Sequence, residues 1–480
     1  MVAFFILLYV LLTLGIGFMA SRYVRSAGDF INAGRRLPML LNATALFALW
    51  YGSETIFGAS SEFVKGGFLG VIEDPFGGAL CLFLYAVFFA RRLYRENFLT
   101  LGDLFRDRYG SAVELLSAGI MMLSFIGWIA AQMVALGLLF QSILGVTLAT
   151  GTTIGALIVG LYTLTGGMWA ISVTDFLQSM VIIAGLIWIA VIMADLGGGV
   201  VNIVGNLPEE HFRLLPEARP LAILNYLAAW TVLGLGSLPS QDVFQRVNSA
   251  RSERAAMWST YLGASIYLLF AMLPLFIASA AKTIDPHMKV EDEQAIIPAL
   301  VNQHAPLAAQ VIFFGALISA ILSTCSGAIL APASILSENV IRPLLGHRLN
   351  DRSMLLVLRM SVGLITCAAL VMSLSRKNIY ELVAEASVLL LVSLLVPMTA
   401  AVYRKRHSAL GAAFSMVLGL VVWFSSEYII ETRIPSLIYG FCASLLAYWA
   451  GSRLDRKSRS GSFLKIPRDL ISIDNKMKKK

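Results

Sequence analysis

The sequence predicts an all-α integral membrane protein, and three observations carry that prediction. The chain is 58% hydrophobic with only 14% charged residues and has a mean hydropathy of +0.77, far from the soluble range. Its apolar runs repeatedly reach the roughly 20 residues that a helix needs to cross a bilayer. Its basic residues gather on alternate connecting segments, 29 of the 37 Lys and Arg on one side and 8 on the other, the asymmetry that orients membrane proteins.

Thirteen transmembrane helices follow from the apolar runs, near 2–20, 38–63, 70–90, 113–140, 147–165, 170–194, 222–245, 257–281, 304–338, 354–374, 379–403, 408–426 and 434–452. Residues 2–20 lack a basic start and a convincing cleavage site, which predicts a retained first helix rather than a signal peptide. The basic count places the N-terminus outside and the C-terminus in the cytoplasm, in a plasma (inner) membrane. The net charge of +8 then reflects orientation in the bilayer and not nucleic-acid binding. The tail ending Lys476-Met477-Lys478-Lys479-Lys480 reads as a disordered cytoplasmic end beside anionic lipid. Cys81, Cys325, Cys367 and Cys442 all fall within spans without CxxC spacing, which suits small core residues better than disulfides or metal. The five histidines form no ligand-spaced pair. No soluble domain, nucleotide loop or nucleophile motif appears, so the chain does not read as an enzyme.

The second span is broken in its middle. Gly52, Ser53, Glu54 and Thr55 put helix-weakening and polar groups at bilayer depth. Non-helical backbone is tolerated there only inside protein or beside a water-filled cavity, and transporters use the freed carbonyls and amides to hold ions and solutes. Five spans onward, Gly234-Leu235-Gly236-Ser237-Leu238-Pro239-Ser240-Gln241 interrupts the seventh span. Two interrupted helices in equivalent places predict a five-plus-five inverted repeat, residues 38–194 and 222–403. An odd number of helices per half turns the second copy upside down. Residues 1–37 then add one N-terminal helix and a cytoplasmic loop, 404–452 add two C-terminal helices, and 453–480 form the basic tail.

Four motifs in order resemble one known family over essentially the whole chain. They are Ala33-Gly34-Arg35-Arg36-Leu37-Pro38, the stretch 162–178 with Gly166, Gly167, Trp169, Asp175 and Gln178, then Gln241-Asp242-Val243-Phe244-Gln245-Arg246 with Ala250-Arg251, and Ser319-Ala320-Ile321-Leu322-Ser323-Thr324. On these residues the chain resembles the sodium:solute symporter family. The resemblance implies the inverted-repeat fold and sodium-coupled uptake of a small solute by alternating access, with Na⁺ and the solute as partners in the bilayer and a monomer as a sufficient unit.

Sodium is a hard cation that wants oxygen ligands, as Ca²⁺ and Mg²⁺ do. Ala320, Ser323 and Thr324 share one helix face, two with hydroxyls and one with a carbonyl to offer. On chemistry alone, hydroxyls bonded to their own preceding turn explain the same residues. The resemblance implies the sodium role and adds the backbone carbonyls of Ala48 and Tyr51. It also implies a second sodium site in some relatives, here at Asp175, Ser323 and Ser326. The last hydroxyl position of that pattern is Gly327. The alternative for Asp175 is a local cap or ion pair near the membrane surface.

The solute side resembles the choline-transporter branch through Trp50, Phe88-Phe89-Ala90 and the motif 241–246. Trp50 and Trp128 match positions of that branch's aromatic cage for a cation, but Gly78, Ser240 and Val383 replace other cage aromatics. The expected cavity is lined by Trp50, Gly52, Ser53, Glu54, Trp128, Ser240, Gln241 and Glu385. Carboxylates at that depth are costly and usually line a cavity, so Glu54 and Glu385 point to a cationic or zwitterionic solute of amino acid, betaine or amine type. A proton carrier or a buried structural network accounts for the same two acids. Three classes stand: a sodium-coupled symporter, a proton-coupled or uncoupled carrier, and a membrane solute sensor.

Overall fold

The computed structural model describes residues 26–460 apart from 289, 291, 346–349, 376–377 and 431, together with Phe4, Leu8, Leu11, Leu12, Gly15 and Met19. The expected first span at 2–20 and the tail beyond 460 lie largely outside the described residues. Among the described residues the chain is helical throughout, with one isolated bridge between Leu37 and Ala250 in place of any sheet.

Among the described residues, seven helices are long and apolar enough to cross a bilayer, and up to nine if each of two bent pairs counts as one span. These helices do not confirm the count of thirteen, whose first span lies largely outside the described residues. Met39–Trp50 and Leu148–Leu164 are apolar but shorter than the roughly 20 residues of a full crossing, the first because its span breaks at Tyr51 and the second because it ends at the kink at Gly167. The expected fifth and sixth spans are two helices, Leu148–Leu164 and Gly167–Leu196, that meet at a kink at Gly167. There φ is +55°, and a Cβ would lie 2.8 Å from the Phe30 carbonyl oxygen, so glycine alone permits both the backbone and the approach.

The eleventh expected span, 379–403, is also bent. Ile379–Ser393 and Leu395–Tyr403 meet at 48°. Pro397 cannot donate the helical bond to the Ser393 carbonyl, and the helix turns at Leu394. The final helix runs Ser436–Ser460, so the tail is helical over its first residues where a disordered end was expected. Cys367 and Cys442 are exposed on helix faces, not in the core with Cys81 and Cys325.

Leu307–Ile335 runs through the centre, buried without interruption from Phe313 to Ile335. It packs on Ser111–Leu144, Leu148–Leu196 and Met39–Trp50. Glu253–Ile284 closes the other side of Met39–Trp50, with Gly263 so near that a Cβ would meet the Ala43 carbonyl at 3.0 Å. These neighbours surround the break in the second expected span.

Candidate functional site

Met39–Trp50 ends at Tyr51, where φ −88° and ψ 63° leave the helical region. The Tyr51 amide still donates to Phe47 at 2.9 Å, but the Ser53 amide turns away and donates to Gln132 Oε1 at 3.0 Å. Two carbonyls at the end of the half-helix take side chains. Ala48 accepts from the Thr324 hydroxyl at 2.7 Å, and Trp50 accepts from the Thr55 hydroxyl at 3.0 Å. Gly52 stands where three helices converge. A Cβ there would meet Glu54 Oε2 at 2.7 Å, Thr324 Cγ2 at 2.9 Å and Gln132 Nε2 at 3.0 Å.

The structure therefore brings Thr324 to Ala48, with Tyr51 three residues on and Ala320 one turn back, all buried. The Tyr51 hydroxyl donates to the Phe270 carbonyl at 2.8 Å. The three hydroxyls of the central helix that the sequence assigned to sodium part company. Thr324 reaches across to the broken helix, Ser323 donates to Asp175 Oδ1, and Ser326 bonds the Ser323 carbonyl at 2.9 Å. Of these three, Ser326 alone is spent on its own preceding turn.

Asp175 has a second neighbour that the sequence reading left without a role. Arg246 Nη2 lies 3.8 Å from Asp175 Oδ2, with both side chains at most 1% exposed. Arg246 Nε donates to the Ala45 carbonyl at 2.9 Å, so the guanidinium links the two broken helices. It occupies the space beside residue 327, where a Cβ would overlap it. Asp175 thus sits in a buried ion pair.

On the other side of Gly52 lies a cluster of aromatic rings and carboxylates. Trp50 and Trp128 meet edge to face with centroids 5.7 Å apart, and Tyr267 lies 6.2 Å from Trp50. Trp50 is fully buried, Glu54 1% exposed and Trp128 2% exposed, so the cluster lies in the interior of the protein. Glu54 Oε2 accepts from Gln132 Nε2 at 2.6 Å, while Oε1 has no hydrogen-bond partner. Gln132 is thus a clamp, holding the Ser53 amide with its oxygen and Glu54 with its nitrogen.

Asp74, Gln132 and Tyr267 are functional candidates that the sequence reading missed. Asp74 is fully buried and accepts from the Thr55 hydroxyl at 2.8 Å and from the Tyr267 hydroxyl. A Cβ on Gly78 would meet Trp50 Cε3 at 2.9 Å and Asp74 Oδ1 at 3.1 Å. The missing side chain at 78 is what lets Trp50 and Asp74 approach each other. A carboxylate just inside an apolar run was the available signal.

The other expected cavity residues, Ser240, Gln241 and Glu385, lie on other elements, and Glu385's helix packs on the Glu54–Gly58 segment. Ser240 donates to Asp242 at the start of the second half of the other broken helix, which bends by 49°. Gln241 Oε1 accepts from the Leu101 amide at 2.7 Å, and its Nε2 has no partner. Glu385 is half-buried on Ile379–Ser393, and the side chains bonded to Glu54 are Gln132 and Ser53.

The model of the sodium:solute symporter family matches residues 30–419. The chain is 27% identical over 405 residues to the high-affinity choline transporter 1 of Caenorhabditis elegans, covering 81% of this chain and 69% of that protein. It is 25% identical over 476 residues to the osmoregulated proline transporter of Bacillus subtilis, covering 95% of each. Among solved structures, a Na⁺-coupled sialic acid symporter in a substrate-bound outward-open state superimposes with a TM-score of 0.81 at 17% identity, over 95% of this chain and 98% of that one. That last likeness concerns the fold.

Proposed function

The chain belongs to the sodium:solute symporter family, and from that premise we propose that it uses the sodium gradient to take up a small amine-bearing solute, cationic or zwitterionic. One observation carries the reading: the Thr324 hydroxyl and the Ala48 carbonyl meet at 2.7 Å at a helix break inside the membrane. Two hard oxygens from two helices suit a sodium ion, which would draw further on Tyr51, Ala320 and Ser323. Gly52 lies between that position and the Trp50, Trp128 and Glu54 cluster, so ion and solute share one hinge of backbone. Filling one position alters the geometry of the other, which is what coupling requires.

The solute class is supported by the cluster itself. Buried Trp faces attract cations, and Glu54 keeps one oxygen without a donor. The relatives are named for choline and proline, both of which carry a positive nitrogen. At Asp175 the charge partner is Arg246, so a second sodium joins Ser323 and Ser326 there only when the guanidinium withdraws.

Reconstituted protein should accumulate radiolabelled solute with Na⁺ outside and lose that accumulation when K⁺ replaces it. Uptake that persists in K⁺ and follows an imposed pH gradient would favour the proton-coupled reading, which rests on Glu54 and Asp74 being bonded by neutral groups alone.

A further inference from the structure

We infer that Asp74 is a second anionic anchor for the solute, and that the solute is a short aliphatic diamine held by one ammonium at Glu54 and the other at Asp74. The inference rests on the amine-solute reading above and goes further in fixing the number of positive charges. Glu54 and Asp74 flank the same turn of broken helix, since Thr55, the residue after Glu54, donates to Asp74 at 2.8 Å. Both carboxylates are buried, and every hydrogen-bond donor they have is neutral: Gln132 and Ser53 for Glu54, Thr55 and Tyr267 for Asp74. Among the described residues no Lys, Arg or His forms an ion pair with either acid. Elsewhere in the interior the chain does supply such a partner, as Arg246 does for Asp175. A buried charge without one is costly unless a ligand brings it.

The aromatic rings are an independent observation toward the same ligand. Trp50, Trp128 and Tyr267 surround this turn, and their faces attract a cation. Trp50 and Asp74 both border Gly78, which puts an aromatic ring beside the second carboxylate. An ammonium offers three N–H donors, which match the open Glu54 Oε1 and the spare lone pairs of Asp74. A quaternary ammonium offers none. A monocation leaves one carboxylate unbalanced, whereas a dication balances both.

The test compares 1,4-diaminobutane, 4-amino-1-butanol and choline as ligands of the full-length protein in lipid nanodiscs, by thermal shift and by competition, in NaCl and in KCl. In NaCl, 1,4-diaminobutane should bind at least tenfold tighter than 4-amino-1-butanol, which keeps one charge and replaces the other with a hydroxyl. Asp74→Asn should cut diamine affinity tenfold or more and leave the amino alcohol within about twofold, so that the ratio collapses. Equal affinities in the unmodified protein would overturn the inference without need of any variant. So would equal losses for both ligands in Asp74→Asn, which would make Asp74 structural. Binding of ²²Na⁺ is measured in parallel. Sodium binding without diamine selectivity ends this inference and spares the symporter reading, whereas absence of sodium binding ends the symporter reading itself.

Discussion

The Arg246 guanidinium fills the space that a side chain on residue 327 would need, and Gly327 is what admits it. The arginine then reaches Asp175 from one broken helix while holding the Ala45 carbonyl of the other. Gly327→Ala should therefore act as overpacking and cost about 1–3 kcal/mol, read as a lower thermal midpoint in detergent. A variant as stable as the parent would mean that the guanidinium has another place to go.

The sodium assignment turns on one hydroxyl. Thr324→Val keeps the branched shape and removes only the group that meets the Ala48 carbonyl. Apparent sodium affinity in uptake should fall about tenfold or more, equivalent to roughly 1.4 kcal/mol. Ser323 is a poorer first test, because its hydroxyl also serves Asp175. An unchanged sodium titration in Thr324→Val would remove the site.

Gly52→Ala tests whether ion and solute meet at the hinge. The added methyl would press on Glu54, Gln132 and Thr324 together, so both the sodium response and the solute KM should worsen. A variant that raises only one of them would separate the two positions and weaken the coupling argument.

Both helix breaks could be read from the chain because their causes are local. Gly52 and Ser53, and likewise Gly236 through Pro239, stand within a few residues of the break they produce. The bend before Pro397 had an equally local cause, but its apolar setting disguised it. Arg246 and Asp74 are different in kind. The partners of Arg246 come from three other helices, and Asp74 depends on a hydroxyl 193 residues away. Asp74 falls inside the span expected at 70–90, so the chain signals a carboxylate within an apolar run but not the distant hydroxyl that holds it. The aromatic pair Trp50 and Trp128 was within reach as two positions, while the Gln132 clamp between them and the break was not.

Orientation is open to direct measurement. In a Cys-free background, a cysteine at Ser458 should label only from the cytoplasmic side and one at Asn202, on the exposed helix Val200–Gly205, only from outside. The 29-to-8 division of basic residues motivates this. Labelling of both from one side would undo the topology and the inverted repeat with it.

Glu54 carries the last prediction. Its Oε2 is fixed by Gln132 at 2.6 Å and its Oε1 has no partner, so one oxygen is structural and the other free to receive a ligand. Glu54→Gln keeps the size and most of the hydrogen bonding but removes the charge. If the free oxygen holds an ammonium, solute KM should rise about tenfold or more, roughly 1.4 kcal/mol, while sodium affinity changes little because Thr324 and Ala48 are untouched. If Glu54 carries a proton instead, the same substitution should flatten the pH dependence of uptake and leave KM near its original value at the pH optimum. The paired variant Gln132→Leu separates charge from position. It keeps the carboxylate but releases its clamp, and should raise KM less than Glu54→Gln while loosening the Ser53 turn. A Glu54→Gln protein that matches the parent in KM, sodium response and pH profile would make the residue a packing element and remove the main support for a positively charged solute.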